Sequence, residues 1–356
     1  MPKCANCKKN AVVELEYNKT HLCENCFCDQ FENRVRQANK EFKLIKLNQK
    51  IGVALSGGKD SSAMLYVLHR IVKNVHGTTL VPILIDEGIE EHRLDAIAKA
   101  QELCDKLHLP LHIRTFKDAY GLEIDRVVEL KQNMPEEKFQ RNCTYCGVFR
   151  KNLLNKAALE LGCDSLAIGH NADDIAQTFL MNMLHNEPER MKRFDVINDE
   201  TEGFAPRMKP LIYNPEEECA LYCKFKKLPF YRCGCPHATE SFRMEIKLFL
   251  NDLEKRFPGV KFNLLRSYLA MNGELRKLRG FEEKYGKALG PNSIGRGILK
   301  CKRCGQNSST GICKSCAFRE EILGLKAKFG KSGRKLKPLD YGKLMDSDKG
   351  RIMCFG

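Results

Sequence analysis

The 356-residue chain has no apolar run approaching the roughly 18 residues that a membrane helix needs, so a helical membrane span is excluded. It opens MPKCANCKKN, without the charged-then-apolar leader of a secreted protein, and is expected to be cytoplasmic. No tandem repeat is visible. Acidic residues are the scarcer charge: 45 Asp and Glu face 60 Lys and Arg, a formal net charge of +15. A basic surplus of that size favours a polyanionic partner such as a nucleic acid. What the chain has in plenty is cysteine, 18 residues in all. In a reducing compartment, clustered thiols are metal ligands more often than disulfides.

At this length two or three domains are expected. Five cysteines crowd into residues 1–28, and residues 1–30 read as an N-terminal zinc-binding domain. FENRVRQANKEFKLIKLNQK then reads as a basic linker helix over 31–48. Through residues 49–237, KIGVALS, TLVPILID, LHIRTF and SLAIGH read as short buried strands separated by helical stretches, the pattern of a parallel α/β sheet. Met64, Leu65, Leu68 and Val72 recur at helical intervals and set one face of the first helix on that sheet, with Asp60 placed to cap it. Residues 238–297 read as a helical extension, 298–325 as a C-terminal zinc ribbon, and 326–356 as a basic, glycine-rich tail that RNA would have to order.

SGGKDS, residues 56–61, lies directly between the first strand and that helix. Gly57 and Gly58 permit a tight turn that gathers amide N–H groups, and the helix N-terminus adds positive partial charge, so the hexapeptide is a seat for phosphate. Its spacing is not that of the P-loop G-x-x-x-x-G-K-[ST]. It matches the pyrophosphate loop of ATP pyrophosphatases, which split ATP into AMP and pyrophosphate while adenylating a carbonyl oxygen. Strands ending in LIDEG and AIGHNADD bring two more loops to the same carboxyl edge, where open α/β folds bind ligands, so the adenosine is expected there.

Cys4-x-x-Cys7 with Cys23-x-x-Cys26, and Cys301-x-x-Cys304 with Cys313-x-x-Cys316, are spaced for tetrahedral zinc. With four thiolates apiece both sites are closed, which points to structural metal. Cys143 and Cys146, in NCTYCGVFRKN, have no second C-x-x-C nearby. Among the other cysteines, Cys104 and Cys163 read as core residues, whereas a turn at Gly234 and Pro236 can expose Cys233 or Cys235. Three converging thiolates suit an iron–sulfur cluster with one open iron. A persulfide resolved through a disulfide is the alternative, with a third structural zinc behind it, and spacing does not choose among them.

SGGKDS, NCTYCGVFR, GHNADD, the later Cys-Pro and the terminal quartets together resemble the TtcA/TtuA family of tRNA thiolation enzymes, from Cys4 to about Leu325. Within it, the chain looks most similar to the archaeal and eukaryotic cytoplasmic tRNA 2-thiolation proteins. The resemblance implies a parallel-sheet ATP pyrophosphatase domain of the adenine nucleotide α-hydrolase-like kind, flanked by two small zinc-binding domains. It implies a tRNA uridine 2-sulfurtransferase acting on the wobble uridine. The same chemistry on a T-loop uridine, a carbon–nitrogen-forming ATP pyrophosphatase and a zinc-ribbon RNA-binding protein without catalysis are the rival readings.

Carried over by resemblance, Ala54, Leu55, Ser56, Gly57, Gly58, Lys59, Asp60 and Ser61 bind ATP with Mg2+, with Ile85 beneath the adenine, Gly169 beside the ribose or base, and Arg150 in the nucleotide site. Asp174, in preference to Asp173, assists catalysis. Cys143, Cys146 and Cys235 hold a 4Fe-4S cluster, Cys235 being preferred to Cys233 for the Pro236 that follows it. The implied partners are tRNA, a second copy in a homodimer, and a sulfur donor: sulfide, a desulfurase persulfide or a ubiquitin-like thiocarboxylate.

Overall fold

The computed structural model describes residues 2–187, 196–197, 202–232, 234–237, 241–285, 299–331, 337 and 339. A hairpin of β1 (Val13–Leu15) and β2 (Thr20–Leu22) leads into α1 (Glu24–Phe42). The helix therefore starts inside the first cysteine cluster and takes in Cys26 and Cys28, ahead of the basic stretch that the sequence marks as helical. Burial explains the early start, since Phe27, Cys28, Phe31, Val35 and Ala38 form one apolar face.

The central sheet has five strands, β3 (Lys50–Ala54), β4 (Thr79–Asp86), β5 (His112–Thr115), β6 (Ser165–Ala167) and β7 (Arg207–Met208), in the order β5-β4-β3-β6-β7. Every pairing is parallel. Parallel strands need helical crossovers, and these are α2 (Lys59–Val72), α3 (Glu90–Leu107), then α4 (Phe116–Tyr120), α5 (Ile124–Asn133) and α6 (Asn142–Glu160) before β6, and α7 (Ala172–Leu184) after it. Helices on both faces leave Ile51, Val53, Ile83 and Leu84 without solvent, which is why these strands read as nearly unbroken apolar runs. The edge strand β7 was not legible: two residues are too few to show alternation.

After β7 come α8 (Glu216–Phe225), α9 (Phe242–Arg256) and α10 (Val260–Tyr285). A small hairpin, β8 (Leu299–Lys300) with β9 (Asn307–Ser308), and α11 (Lys314–Lys331) close the described chain. Of the 238–297 stretch read as a helical extension, α9 and α10 are described and residues 286–298 lie outside the described residues; most of the basic tail lies outside them too. Among the described residues no helix is long and apolar enough to cross a membrane.

The N-terminal hairpin and α1 are fixed to the α/β body by polar contacts and by ring stacking. Arg34 of α1 meets Glu218 of α8 at 2.5 Å, Glu218 accepts from the Tyr17 hydroxyl at 3.0 Å, and Phe31 stacks on Tyr222 with ring centroids 4.2 Å apart. From β3 the chain runs to β4 and β5 on one side and returns to β6 and β7 on the other. The order therefore reverses between β3 and β6, and their following loops face a common crevice.

Gly57 sits at φ +83, and a Cβ there would lie 2.1 Å from the Ala96 carbonyl of α3. Gly57→Ala is expected to lower stability by about 1–3 kcal/mol, seen as a fall in thermal unfolding midpoint. Gly324→Ala, in mid-helix with nothing within 4 Å of the added methyl, is expected to raise stability by up to about 1 kcal/mol.

Candidate nucleotide and thiol site

The crevice at the strand reversal holds a cavity of about 260 Å³. Of the residues expected around a nucleotide, Ala54, Leu55, Ser56, Asp60, Ser61, Ile85, Arg150 and Gly169 line it. Gly57, Gly58 and Lys59 form the adjoining loop. Ser56 N donates to Ser61 Oγ at 3.1 Å, and that hydroxyl donates to the Gly58 carbonyl at 3.0 Å, so the hexapeptide is tied across itself. Gly58, at φ −83, is the residue that caps α2, and it offers no side chain, so no side-chain cap occupies the first-turn amides. The expected cap, Asp60, lies inside the first turn instead; its carboxylate receives Lys59 Nζ at 3.1 Å and Asn171 Nδ2 at 3.0 Å. A Cβ on Gly169 would come 3.3 Å from Ser61 N, so the loop after β6 lies close against this helix start.

Two arginines at the cavity share one carboxylate. Arg93 Nε meets Glu87 Oε2 at 3.1 Å, and its guanidinium also donates to the carbonyls of Ser56, at 3.1 Å, and Ile85. Glu87 Oε1 lies 3.5 Å from Arg150 Nη1. His170 faces the same cavity; burial, with Lys209, Arg243, Lys151 and Arg150 around it, lowers its imidazole to about 3, so it is neutral. Sequence reasoning did not single out Glu87, Arg93, His170 or Arg207. LIDEG and GHNADD contain the first and third, while nothing local marks Arg93 or Arg207.

The two neighbouring aspartates of α7 are separated by their surroundings. Asp173 is buried, with Lys261 Nζ at 2.5 Å from Oδ1, and its Oδ2 accepts from Glu216 N at 2.7 Å. It holds α8 and α10 in place. Asp174 closes a reciprocal capping box with Asn171 and keeps 29% of its side chain exposed, with Arg243 at 3.7 Å. Burial raises its carboxyl to about 7, Arg243 opposing and Asp60 and Glu216 adding to the rise.

Cys143 and Cys146 occupy the first turns of α6. Cys143 Sγ donates to the His237 carbonyl at 3.8 Å, and His237 Nε2 is 2.8 Å from Asp125 Oδ1, whose other oxygen accepts from Glu90 N at 3.0 Å. This brings the 235–237 turn against α6. Burial pushes the Cys146 and Cys235 thiols up to about 12; Arg150 opposes at both and the His237 backbone at Cys235, while Cys143 and Glu87 add to the rise at both and Cys235 adds to it at Cys146. Cys146 and Cys235 thus lie beside Arg150, which also lines the nucleotide cavity, and Cys143 lies near both thiols. Cys233 lies outside the described residues.

The terminal quartets behave differently. The sulfurs of Cys4, Cys7, Cys23 and Cys26 all lie within 4.8 Å of one another, as do those of Cys301, Cys304, Cys313 and Cys316. That spread suits one tetrahedral ion in each. Among the described residues the internal thiols do not form a third group of that tightness. Among the described residues, three thiols rather than a closed quartet gather there.

Residues 28–247 match the family described as PP-loop domain, and residues 3–28 match the one described as 2-thiouridine synthetase TtuA, N-terminal LIM domain. The chain is 35% identical over 321 residues to a probable sulfurtransferase of Methanocaldococcus jannaschii, covering 90% of this chain and 88% of that one. It is 36% identical over 347 residues to cytoplasmic tRNA 2-thiolation protein 1 of Drosophila mojavensis, covering 97% and 92%. Its fold resembles that of the U34-tRNA thiolase NcsA from Methanococcus maripaludis, solved with its 4Fe-4S cluster, at a TM-score of 0.72 and 29% identity over 95% of this chain and 98% of that one.

Because Asp174 is raised above the ~3.9 of a solvated aspartate, its protonated form favours the fold. That contribution is complete below about pH 4 and is lost as the pH rises through about 7. Asp174→Asn keeps an oxygen to accept from Asn171 N. It is expected to flatten the fall in unfolding temperature between pH 5 and 8; an unchanged slope would assign that fall to another group.

Proposed function

The chain belongs to the PP-loop tRNA 2-thiolation family, and on that premise we propose that it is an ATP-dependent tRNA uridine 2-sulfurtransferase acting at the wobble uridine. The observation that carries the proposal is Arg150: one guanidinium lines the cavity beside the phosphate loop and also stands among the charges of Cys146 and Cys235. Activation and sulfur delivery can then share one cleft. A carbon–nitrogen-forming ATP pyrophosphatase would use the loop and leave these thiols without work.

Uridine O2 is a poor leaving group until it carries AMP. In this reading Ala54, Leu55 and Ile85 receive the adenosine end of ATP, and the amides of the loop and the α2 N-terminus face the phosphates. Lys59 and Mg2+ neutralise the departing pyrophosphate, and Arg150 stabilises charge on the adenylated oxygen. Asp174, poised near neutrality, takes the N3 proton of uridine as O2 attacks the α-phosphate. Cys143, Cys146 and Cys235 would hold a 4Fe-4S cluster, which when bound supplies a sulfur carrier with one iron unclaimed by protein. Tethering that carrier beside the cavity replaces a bimolecular encounter with a local one.

The terminal quartets are read as structural zinc sites, each locking a small hairpin that has little core of its own. The basic surface meets tRNA phosphates. The sulfur donor is sulfide, a desulfurase persulfide or a ubiquitin-like thiocarboxylate, the enzyme works in the cytoplasm like the relatives named for that compartment, and a homodimer is its expected assembly.

Anaerobically purified protein is expected to carry about four iron and about two zinc per chain, and mass spectrometry of tRNA incubated with ATP and sulfide should find sulfur at the wobble uridine. Cys143→Ala and Cys235→Ala should each lose iron and thiolation yet keep zinc and tRNA affinity. Thiolated tRNA from iron-free protein would overturn the cluster route. Pyrophosphate release without any thiolated nucleoside would favour the carbon–nitrogen reading.

A further inference from the structure

Lys59, the cation of the phosphate loop, is not among the residues that line the cavity. Its ammonium lies 2.8 Å from Glu216 Oε1 and 3.1 Å from Asp60 Oδ2. The same Glu216 oxygen takes a second ammonium, Lys247 Nζ of α9, also at 2.8 Å. Glu216 itself is fixed, because it opens α8 and its backbone N–H is held by Asp173. Its side chain is only 20% exposed. Two ammonium groups thus meet on one carboxylate oxygen, and one of them, Lys59, is shared with Asp60.

We propose that Lys247 is a positioning residue for the activation step: it keeps Glu216 neutralised when Lys59 leaves that carboxylate for the phosphates of the bound nucleotide. The inference rests on the reading of Ser56–Ser61 as the phosphate seat. A largely buried carboxylate stripped of its only counter-ion is costly, so a lysine parked on Glu216 alone would resist transfer to a ligand. With Lys247 in place, departure of Lys59 leaves a complete ion pair behind. Asp60, the other carboxylate that Lys59 would leave, keeps the Asn171 amide at 3.0 Å. The charges agree with this arrangement: burial alone would raise Glu216, yet Lys59 and Lys247 together hold it down to about 2.

The test is calorimetric binding of a β,γ-methylene ATP analogue with Mg2+ to the full chain without its cluster. Lys247→Met is expected to weaken binding about tenfold, the scale of one charge-assisted hydrogen bond. Adding Glu216→Gln to it removes the charge that needs compensation and should restore affinity to within about threefold of the unaltered chain. A purely structural role for Lys247 predicts no such rescue. Unchanged affinity in Lys247→Met, or a double variant as weak as the single one, overturns the proposal and leaves the phosphate-seat reading intact. No binding by the unaltered chain would overturn both.

Discussion

Glu87, the first residue after β4, holds its carboxylate almost wholly out of water, 6% exposed, and takes Arg93 on one oxygen and Arg150 near the other. Arg93 is nearly as buried, at 7%, and spends its remaining donors on the carbonyls of Ser56 and Ile85. Two ion pairs that share Glu87 thereby link the loop after β4 to the start of the phosphate loop and to the helix that carries Cys143 and Cys146. Deleting either partner of such a pair strands a buried charge at about 3–5 kcal/mol. The thiol-bearing helix and the nucleotide cavity thus share Glu87 as a common ionic partner.

A second tie runs along the chain. Between Tyr231 and Lys247 the backbone touches the phosphate loop, through Tyr231 N on the Gly57 carbonyl at 2.8 Å, then passes Cys235 and His237 before entering α9. Arg243 and Lys247, one turn apart on α9, reach Asp174 and Glu216. A short segment therefore visits the phosphate loop, the thiols and two carboxylates of the site. The contrast within Asp173-Asp174 follows from the same packing: the first is consumed by α8 and α10, while the second, not itself in the cavity lining, feels Arg243, Glu216 and the cavity's Asp60.

Much of this could be read from residues in order. β3, β4 and β6 were legible as short apolar stretches because helices cover both faces of the sheet there, whereas β5, read as a buried strand, is a strand without a buried residue; SGGKDS announced its loop because strand, glycines and helix are contiguous. The quartets were legible because a C-x-x-C brings two sulfurs together whatever the fold does. Other features gave no local signal. The edge strand β7 is two residues long. Asp60 looked like a cap, but a cap must stand before the helix with extended backbone, and Gly58 holds that place. Arg93, Arg207 and Lys247 look like any surface cation until the helices and strands bearing them are packed.

The sequence alone determined the chemistry on offer: a phosphate seat between a strand and a helix, two four-sulfur clusters, and an isolated thiol pair with a later Cys-Pro. Each is a matter of spacing within a few residues, where chain geometry leaves little choice. Tertiary structure decided what those pieces do together, bringing Cys235 to Cys143 and Cys146, Glu87 between two arginines, and Glu216 onto the loop lysine. Those meetings depend on where right-handed crossovers return the chain along the sheet, and separation in sequence carries no record of that path.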